Sequence, residues 1–443
     1  MNHKKVIILG GGLAGVEAAY QIAKRNIDVE LYEMRPRTQT GAHSTDFLGE
    51  LICSNSLGST QITSASGLLK EESTLLDSFY LAVAKNCRVP AGSSFSVDRI
   101  KLAEDITAEI KSISNIELFR EEVLEIPKAD CPVIICTGPL TSNGFAQSIS
   151  DFTMRKNLFF YDATSPIIAA DSIDFNKMYK ASRYNKGTAD FLNIPLDEDQ
   201  YSEFVNDLVE AEKVEVKPLE EKIFYDACLP IEEIARRGEK TLSFGPLKPV
   251  GLINPKTDDI PYAVIQLRQD DLKENFYQLV GFQTRLKWKE QKRIFRKLPG
   301  LEKAQFERYG RMHRNTYINA PLLMNKYYQS KLNKNIYFAG QICGVEGYVE
   351  SINSGLMAGI FTSKAVLKET IYSLPENTAS GALVNYVSQA NWKEFTPTKF
   401  TFGLLPSPKL NKRPRRESKK MKKNQKANEA LNSLATWIKK ANI

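Results

Sequence analysis

The chain has 443 residues, 42% hydrophobic and 25% charged, which suits a globular protein of two domains or one domain carrying a large insertion. No stretch approaches the ~20 uncharged apolar residues of a membrane helix, and six cysteines, spaced unlike a secreted scaffold or a paired-CxxC zinc site, imply free thiols in a reducing compartment. The formal charge of +8 is uneven: from Lys409 to Lys440, 12 Lys/Arg face two acids, leaving the rest near −2.

Asn2, His3, Lys4 and Lys5 lead into an apolar strand, Val6–Leu9, without the apolar stretch or cleavage site of a signal peptide, so a cytosolic protein is expected. GGGLAG (Gly10, Gly11, Gly12, Leu13, Ala14, Gly15) predicts a tight turn, Val16–Lys24 a helix, and Val29–Tyr32 a second strand ending at Glu33. In this βαβ opening Gly10 permits the turn, Gly12 lets a pyrophosphate approach and Gly15 lets helix and strand pack closely. Helix-start amides meet the phosphate, and Glu33 stands near the usual spacing for a ribose-binding carboxylate.

A Gly/Ser/Thr-rich loop follows, then helical patterns over 67–85 and 98–112 and a buried strand in PVIICTGPL. Residues from about 151 to 320 are rich in Tyr and Phe, with turn-marked strands AVIQLRQ and FYQLVGFQT, and read as α+β material inserted in the nucleotide fold. NIYFAGQICGVEG returns to strand and Gly loop before a helix; no repeat of 20–50 residues is present. The final run, KRPRRESKKMKKNQK, reads as a contact for a polyanion or as a solvated, disordered tail.

VIICTGP and YFAGQ resemble the segments that two-dinucleotide flavoproteins place against FAD, which favours FAD over NAD and adds Gly340, Gln341 and Gly347 to the cofactor-binding candidates. Such flavoproteins often carry an acid where Gln341 stands, and a second good GxGxxG is lacking, so NAD(P)H would bind only transiently as reductant. The expected fold is α/β: a Rossmann-type FAD-binding domain (1–150 and 321–405), an α+β insertion domain (151–320) on the substrate side, and a basic C-terminal tail (406–443).

FLGELICSNSL, PAGSSFSVDR, YDATSPI, YDACLPIEEIARRGEKTLSFGPLKPVGL, LVGFQTRLKWKEQKRIFRKLPGLE, RYGRMHRNTYINAP and GQICGVEGYVESINSGLMAG resemble, in order, the folate- and FAD-dependent tRNA uracil-5-methyltransferases. The resemblance implies one-carbon transfer from methylenetetrahydrofolate to a uracil C5 and reduction by flavin. It makes Cys228 the nucleophile that adds at C6 and Cys53 the flavin-proximal base for the C5 proton. A helix start would lower the Cys228 pKa while Glu232 and Glu233 would raise it, so the sign stays open; Cys53 could instead be structural. Cys87, Cys131, Cys136 and Cys343 are assigned to packing. Two departures, Ile194 where the family has Cys and PAGSSFSVDR for PAGGALAVDR, bear on the choice of RNA.

Arg285, Lys287, Lys289, Lys292, Arg293, Arg296 and Lys297, interleaved with Trp288 and Phe295 on a helix, are candidates for RNA phosphates or form an ordinary basic face. The T-loop uridine of tRNA is the first target, with a large-subunit ribosomal RNA uridine as the alternative. His43 could touch flavin or folate or be structural, and His313 packs or faces RNA. No cluster has metal-ligand spacing. Two rival classes are a generic NAD(P)H-dependent flavin oxidoreductase, which lacks a redox CxxC pair here, and a flavin-containing RNA-binding protein without catalysis.

Overall fold

The computed structural model describes residues 4–214, 229–406 and 419–443. Cys228 and the 407–418 part of the basic run lie outside the described residues.

Lys5–Leu9 forms a strand because its β-branched and leucine side chains suit a sheet covered on both faces; Val6 to Leu9 are all buried. It pairs in parallel with Asp28–Tyr32 and Val133–Ile135, and the sheet runs Ile336–Phe338, Val133–Ile135, Lys5–Leu9, Asp28–Tyr32, Ile116–Phe119. This α/β architecture is of the Rossmann type. Helix Leu13–Ala23 crosses helix Tyr348–Leu367 very closely: a Cβ on Gly355 would lie 2.2 Å from the Ala14 carbonyl oxygen. Sequence segments some 340 residues apart thus close on one another at the mouth of the sheet.

The helix expected over 67–85 is two helices, Ala65–Leu75 and Phe79–Asn86. Asp77 takes φ 59°, and Ser78 caps the second helix through Oγ, accepting from Leu81 N. The buried carboxylate of Glu17 takes the hydroxyl of Ser78 and the amides of Phe79 and Tyr80. Burial pushes its pKa up to about 7 against those hydrogen bonds. Helical periodicity hid the break, because the cap residue itself breaks no apolar spacing.

Strands Leu158–Ala163 and Met312–Tyr317 pair antiparallel, with His313 opposite Asp162. Between them in sequence lies an antiparallel sheet in the order Tyr179–Ala181, Phe191–Leu196, Ala263–Gln269, Phe276–Leu279, Ile167–Ala169, Phe306–Arg308. It has its own buried cluster, into which helices Glu198–Glu210 and Trp288–Phe295 send Phe204, Ile294 and Phe295. AVIQLRQ is a strand throughout, whereas FYQLVGFQT stops at Leu279, before Gly281 at φ 79°.

The basic C-terminal run is not a disordered tail throughout. Lys419–Ala441 is a helix, and Ala427, Ala430, Leu434, Trp437 and Ala441 pack it against the main core, beside helix Ala65–Leu75. Their three- and four-residue spacing is an amphipathic stripe that the lysine count obscured. Among the described residues no helix is long and apolar enough to cross a membrane.

Candidate active site

A cleft at the carboxyl ends of the parallel strands encloses about 1010 Å³, part of it open to solvent. Gly10, Gly12, Leu13, Ala14, Glu33, Gly340 and Gln341 line it. At Gly12, the N-cap of helix Leu13–Ala23, an added Cβ would meet nothing within 4 Å, so the helix-start amides face open space wide enough for a phosphate. Gly15 instead serves packing, since a Cβ there would lie 1.8 Å from the Gly10 carbonyl oxygen. Gly11 donates its amide to Glu33, and Gly347, at φ 112°, is the N-cap of helix Tyr348–Leu367. This arrangement fits a dinucleotide.

Glu33 accepts from Gly11 N at 2.9 Å and from Arg35 Nε at 2.8 Å, while Arg35 Nη1 reaches Glu50 Oε2 at 3.0 Å. All three side chains are buried. Burial alone would raise the Glu33 pKa, but the Arg35 charge and the hydrogen bonds together hold it below the ordinary carboxylate value. Glu50 is held down likewise, against burial, by bonds from Ser44 and Thr45. His43 lines the cleft, its Nδ1 2.6 Å from Thr40 Oγ1, and burial together with Arg35 lowers its pKa to about 4. It is therefore neutral near pH 7.

Ile52, Gln341, Tyr348 and Ser351 also line the cleft. The Gln341 amide donates to the buried Glu346, whose pKa is raised to about 8 by burial and by Asp162. Cys53 follows Ile52 and is half-buried, with Sγ 3.8 Å from the Ala163 carbonyl oxygen. Its loop is clamped on every side. Cys53 N and Ser54 N donate to Tyr348 Oη at 2.7 and 3.0 Å, and Gln278 Nε2 donates to Cys53 O at 2.9 Å. Arg268 Nη2 holds Gln278 at 2.7 Å, Arg308 donates to Ile52 O, and Asn55 Nδ2 bridges to Val97 O and Gln269 O.

Under this loop Arg99 pairs with Asp270, both buried. Burial lowers the Arg268 and Arg308 pKa values to about 10, and both feel Arg99 and Asp270. Three guanidiniums thus share one carboxylate beside the cysteine, a strongly electropositive setting. His313 is buried and its pKa is lowered by burial, with Nε2 3.9 Å from Asp162 Oδ2. Ile194 is fully buried in the second cluster, so its departure from Cys alters packing and no reactive surface. Among the described residues no group of His, Cys, Asp or Glu side chains is placed to hold a metal ion.

The basic helix looks different in three dimensions. Lys287 and Lys289 pair with Glu212, Arg293 with Asp207 and Glu290, and Lys297 with Glu203 and Asp207. Arg285 is buried on Glu233, and Arg296 Nε donates to Ala304 O at 2.9 Å. Lys292 is exposed and has no carboxylate partner among the described residues.

The family model described as "Glucose inhibited division protein A" matches residues 5–370. The methylenetetrahydrofolate–tRNA-(uracil-5-)-methyltransferase TrmFO of Bacillus subtilis (strain 168) is 48% identical over 439 residues, 99% of this chain and 100% of the relative. Its namesake from Bacillus pumilus is 51% identical over 400 residues, 90% of this chain and 92% of that one. The chain belongs to this methyltransferase family. The GidA structure from Aquifex aeolicus (form II crystal) superposes with a TM-score of 0.64 at 16% identity, covering 89% of this chain and 70% of that one, a likeness of fold. In this family setting the arginines around the Cys53 loop, Arg35 with Glu50 beside Glu33, and the Tyr348 contact are features that motif reading missed. The partner of Cys53 on Tyr348 lies 295 residues away, so no local pattern announces that contact.

Proposed function

We propose that the protein methylates C5 of a uridine in structured RNA, taking the one-carbon unit from methylenetetrahydrofolate, with FAD in the cleft and NAD(P)H as reductant, in the cytoplasm. The carrying observation is the Cys53 loop: a half-buried thiol whose backbone amide is held by Tyr348, which with Ile52 lines the dinucleotide cleft, set beside an electropositive cluster. The names of the relatives support the same reaction.

Uracil C5 is a poor nucleophile until a thiolate adds at C6; Cys228 supplies that thiolate, and the electron pair moves to the enolate. C5 then bonds to the methylene carbon of the donor, Cys53 Sγ takes the C5 proton, and the freed electron pair breaks the carbon–nitrogen bond to the donor, which leaves as tetrahydrofolate, so that an exocyclic methylene stands on a base still joined to Cys228 at C6. Once hydride reaches that methylene, Cys228 is expelled and the C5–C6 double bond returns. Reduced FAD, when bound, supplies the hydride that completes the methyl group. Gly12, the helix-start amides and Glu33 would hold its pyrophosphate and ribose. The target base must leave its stack to reach this site, so a loosened loop uridine is the least costly substrate, and the T-loop uridine of tRNA is the first choice.

RNA carrying 5-fluorouridine should form a covalent adduct with the wild-type protein and none with Cys228→Ala; adduct formation by Cys228→Ala at the wild-type level would refute the nucleophile. Mapping 5-methyluridine in tRNA and ribosomal RNA from cells with and without the protein decides the target. Modification confined to ribosomal RNA would overturn the tRNA choice.

A further inference from the structure

Two elements of the chain are rich in cations, and the fold treats them in opposite ways. Around helix Trp288–Phe295, all but Lys292 of the seven cations are matched by a carboxylate or a carbonyl oxygen. Helix Lys419–Ala441 carries seven lysines against one acid, Glu429. Its Lys422, Lys423, Lys439 and Lys440 are exposed and Lys426 is half-buried, and none has a carboxylate partner among the described residues.

We propose that helix Lys419–Ala441 is a fixed docking strip for the phosphate backbone of the RNA substrate, with Lys422, Lys423 and Lys426 as its main contacts. This rests on the RNA-modification reading above and adds where the RNA is held. Three observations carry it. The helix is anchored: Ala427, Ala430, Leu434 and Trp437 are buried in the main core, and Asn377 Nδ2 donates to Ser433 Oγ at 2.8 Å. The helix therefore holds Lys422, Lys423 and Lys426, within about 6 Å along its axis, at a set position. That position is on the body that holds the cleft, beside helix Ala65–Leu75, whose Lys70 donates to Leu57 O at 2.6 Å, four residues beyond Cys53.

The lysines at the start of the helix are not placed to stabilise it electrostatically. Five of them fall within 419–426, at the end where the helix dipole is already positive, and no acid stands in the first turn. Repulsion among them and with the dipole is relieved by a polyanion. An anionic membrane would present the same charge, but a membrane-bound helix needs its apolar face for the lipid, and here that face is buried in the protein. RNA phosphate is the occupant that uses the cations alone.

The test is the salt dependence of binding between the full-length, flavin-loaded protein and a tRNA transcript. In the triple variant K422Q/K423Q/K426Q the slope of log affinity against log salt should fall by about two to three, and affinity at ~0.1 M salt should fall at least about tenfold. The variant K422R/K423R/K426R should restore both, and K287Q/K289Q should leave both unchanged. Wild-type slope and affinity in the triple glutamine variant would overturn the proposal. So would binding of the wild type, but not of that variant, to phosphatidylglycerol vesicles with RNA affinity unaltered. Failure of 5-fluorouridine RNA to form the Cys228 adduct would sink the methyl-transfer reading while leaving this affinity measurement to stand or fall by itself.

Discussion

Tyr348 Oη lies 2.7 Å from the backbone nitrogen of Cys53, so the first residue of helix Tyr348–Leu367 fixes the loop that carries the candidate base. One oxygen accepts two amides, those of Cys53 and Ser54, and burial pushes the phenol pKa up, keeping it neutral.

Tyr348→Phe deprives both amides of the half-buried loop of their acceptor, at a cost of up to about 1–3 kcal/mol each. Release of tritium from RNA labelled at uridine C5 should slow by at least about tenfold, while the 5-fluorouridine adduct still forms and flavin absorbance is retained. Unchanged tritium release would remove Tyr348 from the positioning of Cys53.

Arg35 is the shared cation of Glu33 and Glu50. Arg35→Gln leaves two buried carboxylates without a counter-charge and should lower stability by about 3–5 kcal/mol in urea unfolding, and weaken FAD retention. The folded-state pKa values of both acids are depressed, so their stabilisation is present above the unfolded value of about 4.5 and is lost as pH falls through the folded values. The acid limb of the unfolding profile should therefore move to higher pH in Arg35→Gln.

Glu17 has the opposite sign. Its folded pKa of about 7 lies above the ordinary glutamate value of 4.5, so the folded state holds an extra proton between these values and stability falls as pH rises through the window. Glu17→Gln should flatten that part of the profile, a change on the order of 3 kcal/mol across the window. A slope equal to wild type between pH 4.5 and 7 would assign the titration elsewhere.

The Arg99–Asp270 pair predicts an asymmetry. Asp270→Asn removes the one carboxylate among the buried guanidiniums of Arg99 and Arg268 and the half-buried one of Arg308, whereas Arg99→Gln lowers the charge excess and leaves Asp270 near Arg268 and Arg308. Asp270→Asn should cost about 3–5 kcal/mol and Arg99→Gln clearly less, read as urea midpoints at equal slope. Equal losses would mean that the pair acts by geometry alone.

The opening βαβ unit was legible because each requirement is local: a buried strand, a turn that only glycine allows, helix-start amides and a carboxylate at the next strand end within 29 residues, Lys5 to Glu33. The long family motifs likewise named Cys53 and Cys228. Two sequence readings went astray for physical reasons. Helical spacing over 67–85 concealed the cap at Ser78, and the density of lysine concealed the apolar stripe from Ala427 to Ala441.

Sequence by itself thus determined the nucleotide-binding element and the family, since both reside in contiguous residues whose backbone needs are set by near neighbours. Tertiary structure alone decided the charge state of the surfaces and the hold on Cys53. Carboxylates such as Asp207 and Glu212 pair with most of the 285–297 cations, while among the described residues Lys422, Lys423, Lys426, Lys439 and Lys440 meet none, and Tyr348 reaches Cys53 across 295 residues. Electrostatic energy depends on distance in space, which linear spacing does not encode.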